Sequence, residues 1–243
     1  MLADIQRVHD YQLLAKAQLD PAIWQYLCEG DSSGNAQAWH TRYLMPRPLR
    51  DVTGGNTRLT LFGQTLEHPI LLAPLAYQRL FHQQGEMASA MAASMQGAPF
   101  IISSLASQAL EAIADVAHAE TQKSAWFQLY WQGERDRTWR LLQRAINAGC
   151  SVVVFTVDAP IKIARLQLPA DVSAVNLEPL PLPQSKTSAV FNGWMSQAPT
   201  WDDVIWLRQQ TRLPLVLKGL LHPDDVEKAI AVGCDGIVVS NHG

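Results

Sequence analysis

The stretch SVVVFTVDAP, residues 151–160, carries four consecutive apolar β-formers, Val152 to Phe155, and then turns polar at Thr156 and Asp158 before Pro160. A strand with one wet face alternates apolar and polar residues, whereas an uninterrupted apolar run belongs to a strand buried on both faces. Such strands occur in parallel sheets covered by helices. The same pattern recurs in PILLAP (69–74), PFIISS (99–104), SAWFQLY (124–130), LPLVLKG (213–219) and DGIVVSNHG (235–243). Between these runs lie helical stretches: GEMASAMAASMQG, SQALEAIADVAHA, ERDRTWRLLQRAINAGC, TWDDVIWLRQQT and HPDDVEKAIAVGC. This strand–helix repetition predicts an α/β fold, either a doubly wound sheet or a (β/α)8 (TIM) barrel.

The polar residues decide between them. They fall at the C-terminal end of every run: Pro74–Ala76, Ser103–Ser104, Gln128 and Tyr130, Thr156 and Asp158, Lys218, and Asn241–His242. A ring of polar strand ends is what a barrel active site uses, while an open sheet gathers them at one switch point. No GxGxxG follows the first run, which also favours the TIM barrel. The sequence supplies six strand–helix units where a closed barrel uses eight.

Residues 1–67 read differently from 68–243. They predict a helix in DIQRVHDYQLLAKAQL, a second in DPAIWQYLCEG with Asp20 as N-cap and Pro21 at its first position, and a third in GNAQAWHTRYLM stopped by Pro46 and Pro48. A hairpin follows in TRLTLFGQTLEH around Gly63. The expected organisation is therefore an N-terminal cap, 1–67, and an incomplete barrel, 68–243.

Bulk properties exclude several classes. Nineteen Lys and Arg against 22 Asp and Glu, with no basic run, give no electrostatic case for nucleic acid. No apolar run approaches the roughly 20 residues of a membrane span, and the N-terminus lacks the apolar core of a signal peptide. The three cysteines, Cys28, Cys150 and Cys234, sit in no metal or redox spacing, which fits a reducing, cytoplasmic setting.

Several strand-end residues carry chemistry. A lone histidine is more often structural, but His242 follows a buried strand and is flanked by Asn241 and Gly243, as a base in a tight turn would be. Lys218 follows an apolar run and reads either as a snorkelling side chain or as a fixed cation beside a group that becomes negative. Asp158 reads as a turn residue before Pro160 or as the carboxylate that orients a histidine. Gln128 and Tyr130 alternate with Leu129 and so share the interior face of their strand. Arg165, in the following connection, means little by itself, although a guanidinium can clamp a carboxylate bidentately. Tyr26 carries no signal by itself.

Taken together, YLCEG, PILLAPLA, GEMASAMAASMQGAPFIISS, WFQLY, FTVDAP, TWDDVIWLRQQTRLPLVLKG and GIVVSNHG resemble the FMN-dependent α-hydroxy acid oxidase and dehydrogenase family, in family order from about residue 5 onward. The resemblance implies FMN as cofactor and a small L-2-hydroxy acid, lactate- or glycolate-like, as substrate. It implies His242 as the base that starts oxidation of the α-carbon, with Asp158 as its charge partner and Tyr130 beside the substrate hydroxyl. Tyr26 and Arg165 match residues that bind the substrate carboxylate. Pro74, Leu75, Ala76, Ser103, Gln128, Thr156 and Ser240 match flavin contacts, and Lys218 matches the lysine that stabilises the reduced anionic flavin. A homo-oligomer, a tetramer in the family, is implied as well.

Three departures bear on function. Leu105 stands where the glycolate oxidases carry tryptophan, which alters the space for substrate. Ala76 stands where the family's oxidases often carry alanine and some of its dehydrogenases glycine, so the resemblance implies oxygen as the acceptor. The family continues beyond SNHG into an arginine and two further strands that hold the FMN phosphate. The expectation is thus a C-terminally truncated member, with a non-catalytic fragment that retains no flavin as the alternative.

Overall fold

The computed structural model describes residues 5–28, 33–119, 124–159, 166–179 and 187–243. These fall into two compact units, one from Met1–Asp51 with Ala164–Pro169 and Gly243, the other from Val52–Ile163 with Ala170–His242. The first unit carries helices α1 (Asp10–Gln18), α2 (Pro21–Cys28) and α3 (Ser33–His40). Asp20 begins α2 as predicted, its Oδ1 accepting from the Ala22 amide at 2.8 Å. The third helix ends earlier than its composition predicts. Thr41 turns its hydroxyl back to the Ala38 carbonyl at 2.8 Å, and the chain ahead of Pro46 runs without helix.

The second unit opens with the hairpin β1 (Leu59–Leu61) and β2 (Gln64–Leu66), paired antiparallel. Its two-residue turn places Phe62 at φ 48° and Gly63 at φ 78°, the double positive φ that a type I′ hairpin requires. Five parallel strands then form one sheet in sequence order: β3 (Ile101–Ser103), β4 (Trp126–Leu129), β5 (Val152–Thr156), β6 (Leu215–Lys218) and β7 (Gly236–Val238). The helices α4 (Gly85–Met95), α5 (Leu110–Ala119), α6 (Arg135–Asn147), α7 (Trp201–Gln210) and α8 (Pro223–Ala231) alternate with them.

The first of the six expected strands is reduced to a single parallel bridge, Leu72 to Phe100. Pro69 and Pro74 bracket that run and donate nothing to a ladder, and Ile70 remains 66% exposed. The bridge keeps the run in strand order beside β3 without building a strand.

Register and parity generate two cores. Phe127, Leu129, Val153, Phe155, Leu215 and Leu217 point one way, into the layer packed by the helices. Each fully buried side chain of this kind contributes about 2 kcal/mol. Ile101, Trp126, Val152, Val154 and Val216 point the other way and form an interior cluster, with Leu61, Phe62 and Leu71 packed against it. The hairpin is fixed beneath this floor: Gln64 Nε2 donates to Ser151 Oγ at 2.6 Å, and the Phe62 and Trp126 rings lie 5.4 Å apart.

The helices expose their polar sides as amphipathic packing demands. On α6, Thr138, Leu141, Leu142 and Ala145 are buried, while Arg140 and Arg144 reach outward to Glu178 and Glu111. The α7 start is secured by Asp203, whose carboxylate accepts from the Thr200 amide at 2.9 Å. Among the described residues no helix is long and apolar enough to cross a membrane.

Burial controls the thiols. It pushes the Cys150 thiol up to about 12 and the Cys234 thiol up to about 11, so the thiolate form is scarce at neutral pH and grows only in strong alkali. At pH 8 the native chain is expected to label at Cys150 and Cys234 at least about a hundredfold more slowly than the urea-unfolded chain. Mass spectrometry of iodoacetamide adducts checks this, and equal native and unfolded rates at Cys150 would contradict its placement in the core.

Candidate active site

The interior floor of aliphatic and aromatic side chains gives way, one parity step further along each strand, to polar ones. Ser103 ends β3, Gln128 lies on β4, Thr156 ends β5 and Lys218 ends β6. Register sets them side by side, with Ser103 opposite Gln128 and Thr156 opposite Lys218. They are bonded into a row. Gln128 Nε2 donates to Thr156 Oγ1 at 2.9 Å, and Gln128 Oε1 accepts from Ser103 Oγ at 3.3 Å and the Ser104 amide at 3.2 Å. Gln128 is thereby held in one orientation in a buried setting, as a directional recognition group has to be.

Beyond this row the strand ends converge on Asp158. His242 Nδ1 lies 2.7 Å from Asp158 Oδ1, and the Lys218 ammonium lies 3.8 Å from Asp158 Oδ2. A carboxylate accepts, so a proton of the His242 ring sits on Nδ1, and Nε2 is the ring's acceptor nitrogen. Nε2 lies 3.3 Å from the Tyr130 hydroxyl. The turn that delivers His242 is tied by its own chain: Ser240 Oγ accepts from the His242 amide at 2.9 Å and from Lys218 Nζ at 3.4 Å. His242 itself adopts φ 78°, the left-handed region that non-glycine residues enter at a cost of about 1 kcal/mol, and these contacts hold it there.

The structure therefore brings together Tyr130, Asp158, Lys218, Ser240 and His242, and bonds Ser103, Gln128 and Thr156 into the adjoining row. Pro74–Ala76 lies in the loop that follows the Leu72 bridge, and Tyr77, next in the chain, donates its amide to the Leu105 carbonyl at 3.0 Å. Tyr26 is half-buried on α2, in the first unit. Arg165 falls outside the described residues.

The residues suit a flavin. Lys218 is largely buried, with its side chain 14% exposed, yet its contacts at 3.4 and 3.8 Å leave donors in reserve for a further anionic partner. Asp158 Oδ2 is buried and accepts no hydrogen bond among the described residues, so the ammonium is the charge that compensates it. The row of Ser103, Gln128 and Thr156 offers hydroxyl and amide groups in one line, which matches the polar edge of a planar heterocycle.

Two further groups support the site: Ser104, already marked as a polar strand end, and Gly219, which sequence reasoning misses. Ser104 donates to the Gln128 carbonyl at 2.6 Å and accepts from the Tyr130 amide at 2.9 Å, fixing the end of β4 where Tyr130 departs. Gly219 has φ 108°, and a Cβ there would lie 2.5 Å from Asp158 Cβ and Cγ. The only sequence signal was a glycine following Lys218, a pattern shared by many strand ends. Gly219→Ala is expected to displace the Asp158 side chain and to cost about 1–3 kcal/mol of stability. A denaturation midpoint equal to that of the unsubstituted chain would show that Asp158 does not need this close approach.

Comparison with known proteins bears on the same residues. The profile of the FMN-dependent dehydrogenase family matches residues 15–243. The chain is 42% identical over 251 residues to an L-lactate oxidase of Alicycliphilus denitrificans, covering 96% of this chain and 68% of that protein. It is 39% identical to a 4-hydroxymandelate oxidase of Amycolatopsis orientalis, over all of this chain and 70% of that protein, and 32% identical to glycolate oxidase of Spinacia oleracea. The chain thus spans about two thirds of the length of these curated relatives. Among solved structures, that of a mandelate oxidase superposes with a TM-score of 0.82 at 37% identity, covering 96% of this chain and 68% of that one. Another solved form of mandelate oxidase holds a C4a-OH-FMN adduct. With its polar row, its Asp158–His242 pair and its parallel strand order, the chain belongs to the FMN-dependent dehydrogenase family, built on the (β/α) barrel frame of the flavin-dependent 2-hydroxy acid oxidases.

Proposed function

We propose that this protein oxidises a small L-2-hydroxy acid to the 2-oxo acid, with FMN as its cofactor and oxygen as the final acceptor. The observation that carries the proposal is the contact of His242 Nδ1 with Asp158 Oδ1 at 2.7 Å, which leaves Nε2 facing the Tyr130 hydroxyl. FMN, when bound, supplies the two-electron acceptor that no side chain provides. Of the two hydrogens that the hydroxy acid loses, His242 Nε2 takes one as a proton and Asp158 stabilises the imidazolium that results, while the other would leave with the electron pair to the cofactor. Tyr130 offers its phenol to the substrate hydroxyl and so orients the carbon to be oxidised. Lys218 keeps a fixed positive charge where negative charge grows during the reaction.

Ser103, Gln128 and Thr156 would hold the flavin ring edge, with backbone of Pro74–Ala76 beside it. Leu105 stands just after the Ser103–Ser104 pair and borders the same loop as Tyr77. A leucine there makes room that a tryptophan would fill, and the relatives' names include both small and aromatic hydroxy acids. The family resemblance further supports a homo-oligomer, and three unpaired cysteines support a cytoplasmic setting.

The test is a visible spectrum of the protein with added FMN, before and after anaerobic addition of L-lactate, glycolate or L-mandelate. Saturable binding followed by bleaching of the flavin band is expected, and a bound flavin that no hydroxy acid bleaches would refute the activity. His242→Gln is expected to retain flavin and to lower the bleaching rate by about 10²–10⁴-fold. Undiminished bleaching in that variant would remove His242 from the role of base.

A further inference from the structure

Glu86 is fully buried, and none of the chemistry above uses it. It sits in the first turn of α4, yet its carboxylate does not face solvent. Oε1 accepts from the Gln78 amide at 3.0 Å, the Ser107 amide at 2.8 Å and the Ser107 hydroxyl at 3.0 Å, and Oε2 lies 2.8 Å from the same hydroxyl. The charge is therefore met by two backbone N–H groups and one O–H. Those donors come from two different loops, one following the Leu72 bridge and one following β3.

These two loops carry groups that the proposed function needs. The first holds Pro74–Ala76 and then Tyr77. The second starts with Ser104 and Leu105, directly after Ser103 at the end of β3. They are stitched together at Tyr77 N to Leu105 O (3.0 Å) and at Arg79 N to Ser107 Oγ (3.1 Å), on either side of the Glu86 contact. Tyr77 is buried and held at φ 51°, a conformation that a non-glycine residue abandons unless its neighbours fix it. The next amide, Gln78 N–H, is the one Glu86 grips. Ser89 adds a second restraint on Gln78 by donating to its Oε1 at 2.6 Å.

We infer that Glu86 is a positioning residue for the cofactor: its buried carboxylate clamps the loop bearing Pro74–Ala76 against the loop bearing Ser104 and Leu105, and so fixes the backbone that would lie along the flavin. The inference rests on the flavin reading above and deepens it. An anion is the group that suits three converging donors, because it has lone pairs for all of them and brings no hydrogen of its own. An amide in its place can keep an oxygen on those donors, but it exchanges the Oε2 contact for an N–H given to the Ser107 hydroxyl and removes the negative charge that strengthens every bond in the clamp.

The experiment compares the unsubstituted chain, Glu86→Gln and Ser107→Ala. Ser107→Ala deletes only the hydroxyl contacts and leaves the Ser107 amide on Glu86. FMN affinity is read by quenching of flavin fluorescence, fitting dissociation constant and stoichiometry separately. Amide hydrogen exchange without flavin is read for residues 74–80 and 103–107 against the remaining barrel strands.

Glu86→Gln is expected to weaken FMN binding by roughly tenfold or more, and Ser107→Ala by a smaller factor, with faster exchange confined to the two loops. A purely structural role would lower the stoichiometry at an unchanged dissociation constant and speed exchange throughout the barrel, and that result overturns the inference. Unchanged affinity and unchanged loop exchange overturn it as well. If Glu86→Gln does not fold, Ser107→Ala decides by the same two criteria. An unsubstituted chain that binds no flavin would count against the flavin reading itself, and the exchange comparison would still show whether Glu86 clamps the loops.

Discussion

The pleat of the parallel sheet is the constraint on which the arrangement depends. Side chains two apart share a face, so Val152 and Val154 commit Thr156 to the interior, Trp126 commits Gln128, and Val216 commits Lys218. Inter-strand register then decides which of these meet. Because Thr156 lies opposite Lys218 while Trp126 lies opposite Val152, the row climbs across the sheet, and Gln128 reaches Thr156 diagonally at 2.9 Å. The chemistry-bearing side chains are thus the upward continuation of an apolar stacking pattern. A slip of one residue in β4 or β6 would send an amide or a charged group into the helix layer.

Asp158 occupies the centre of the charge arrangement. It is shared between the Lys218 ammonium and the His242 ring, with one oxygen for each. That division keeps the carboxylate compensated whichever protonation state His242 adopts, since Lys218 remains beside Oδ2 throughout. It also explains the need for Gly219. The chain must turn directly behind Asp158 after Lys218, and backbone without a Cβ is what fits there.

The fold and most strand-end residues are legible in the sequence because the polar groups lie at or just past the ends of apolar runs; the last run differs from the buried strand expected, since Val238 and Val239 are exposed. The hairpin was legible from its alternation around Gly63. The first strand was not, since PILLAP has the same apolar run as its neighbours and the prolines at its ends act through missing donors rather than through hydropathy. Glu86 was equally opaque. An acid in the first turn of GEMASAMAASMQG reads as a surface residue favoured by the helix dipole, and its burial follows from two loops, carrying Gln78 and Ser107, that close over it. Sequence reasoning locates groups at the ends of periodic elements and loses those whose partners are fixed by loop packing.

The hairpin beneath the sheet has an electrical consequence. Phe62 and Leu61 seal the interior under Trp126 and the valines, and Gln64 ties the seal to Ser151. Below the row of Ser103, Gln128, Thr156 and Lys218 there is consequently a slab of low polarisability, and above it lies the side on which a ligand would sit. Charges at such a boundary are poorly screened from beneath, and their field is thrown toward the open side. A plug of ordinary aliphatic and aromatic side chains, far from any reacting atom, therefore acts as an insulator that aims the potential of Lys218 and Asp158 in one direction.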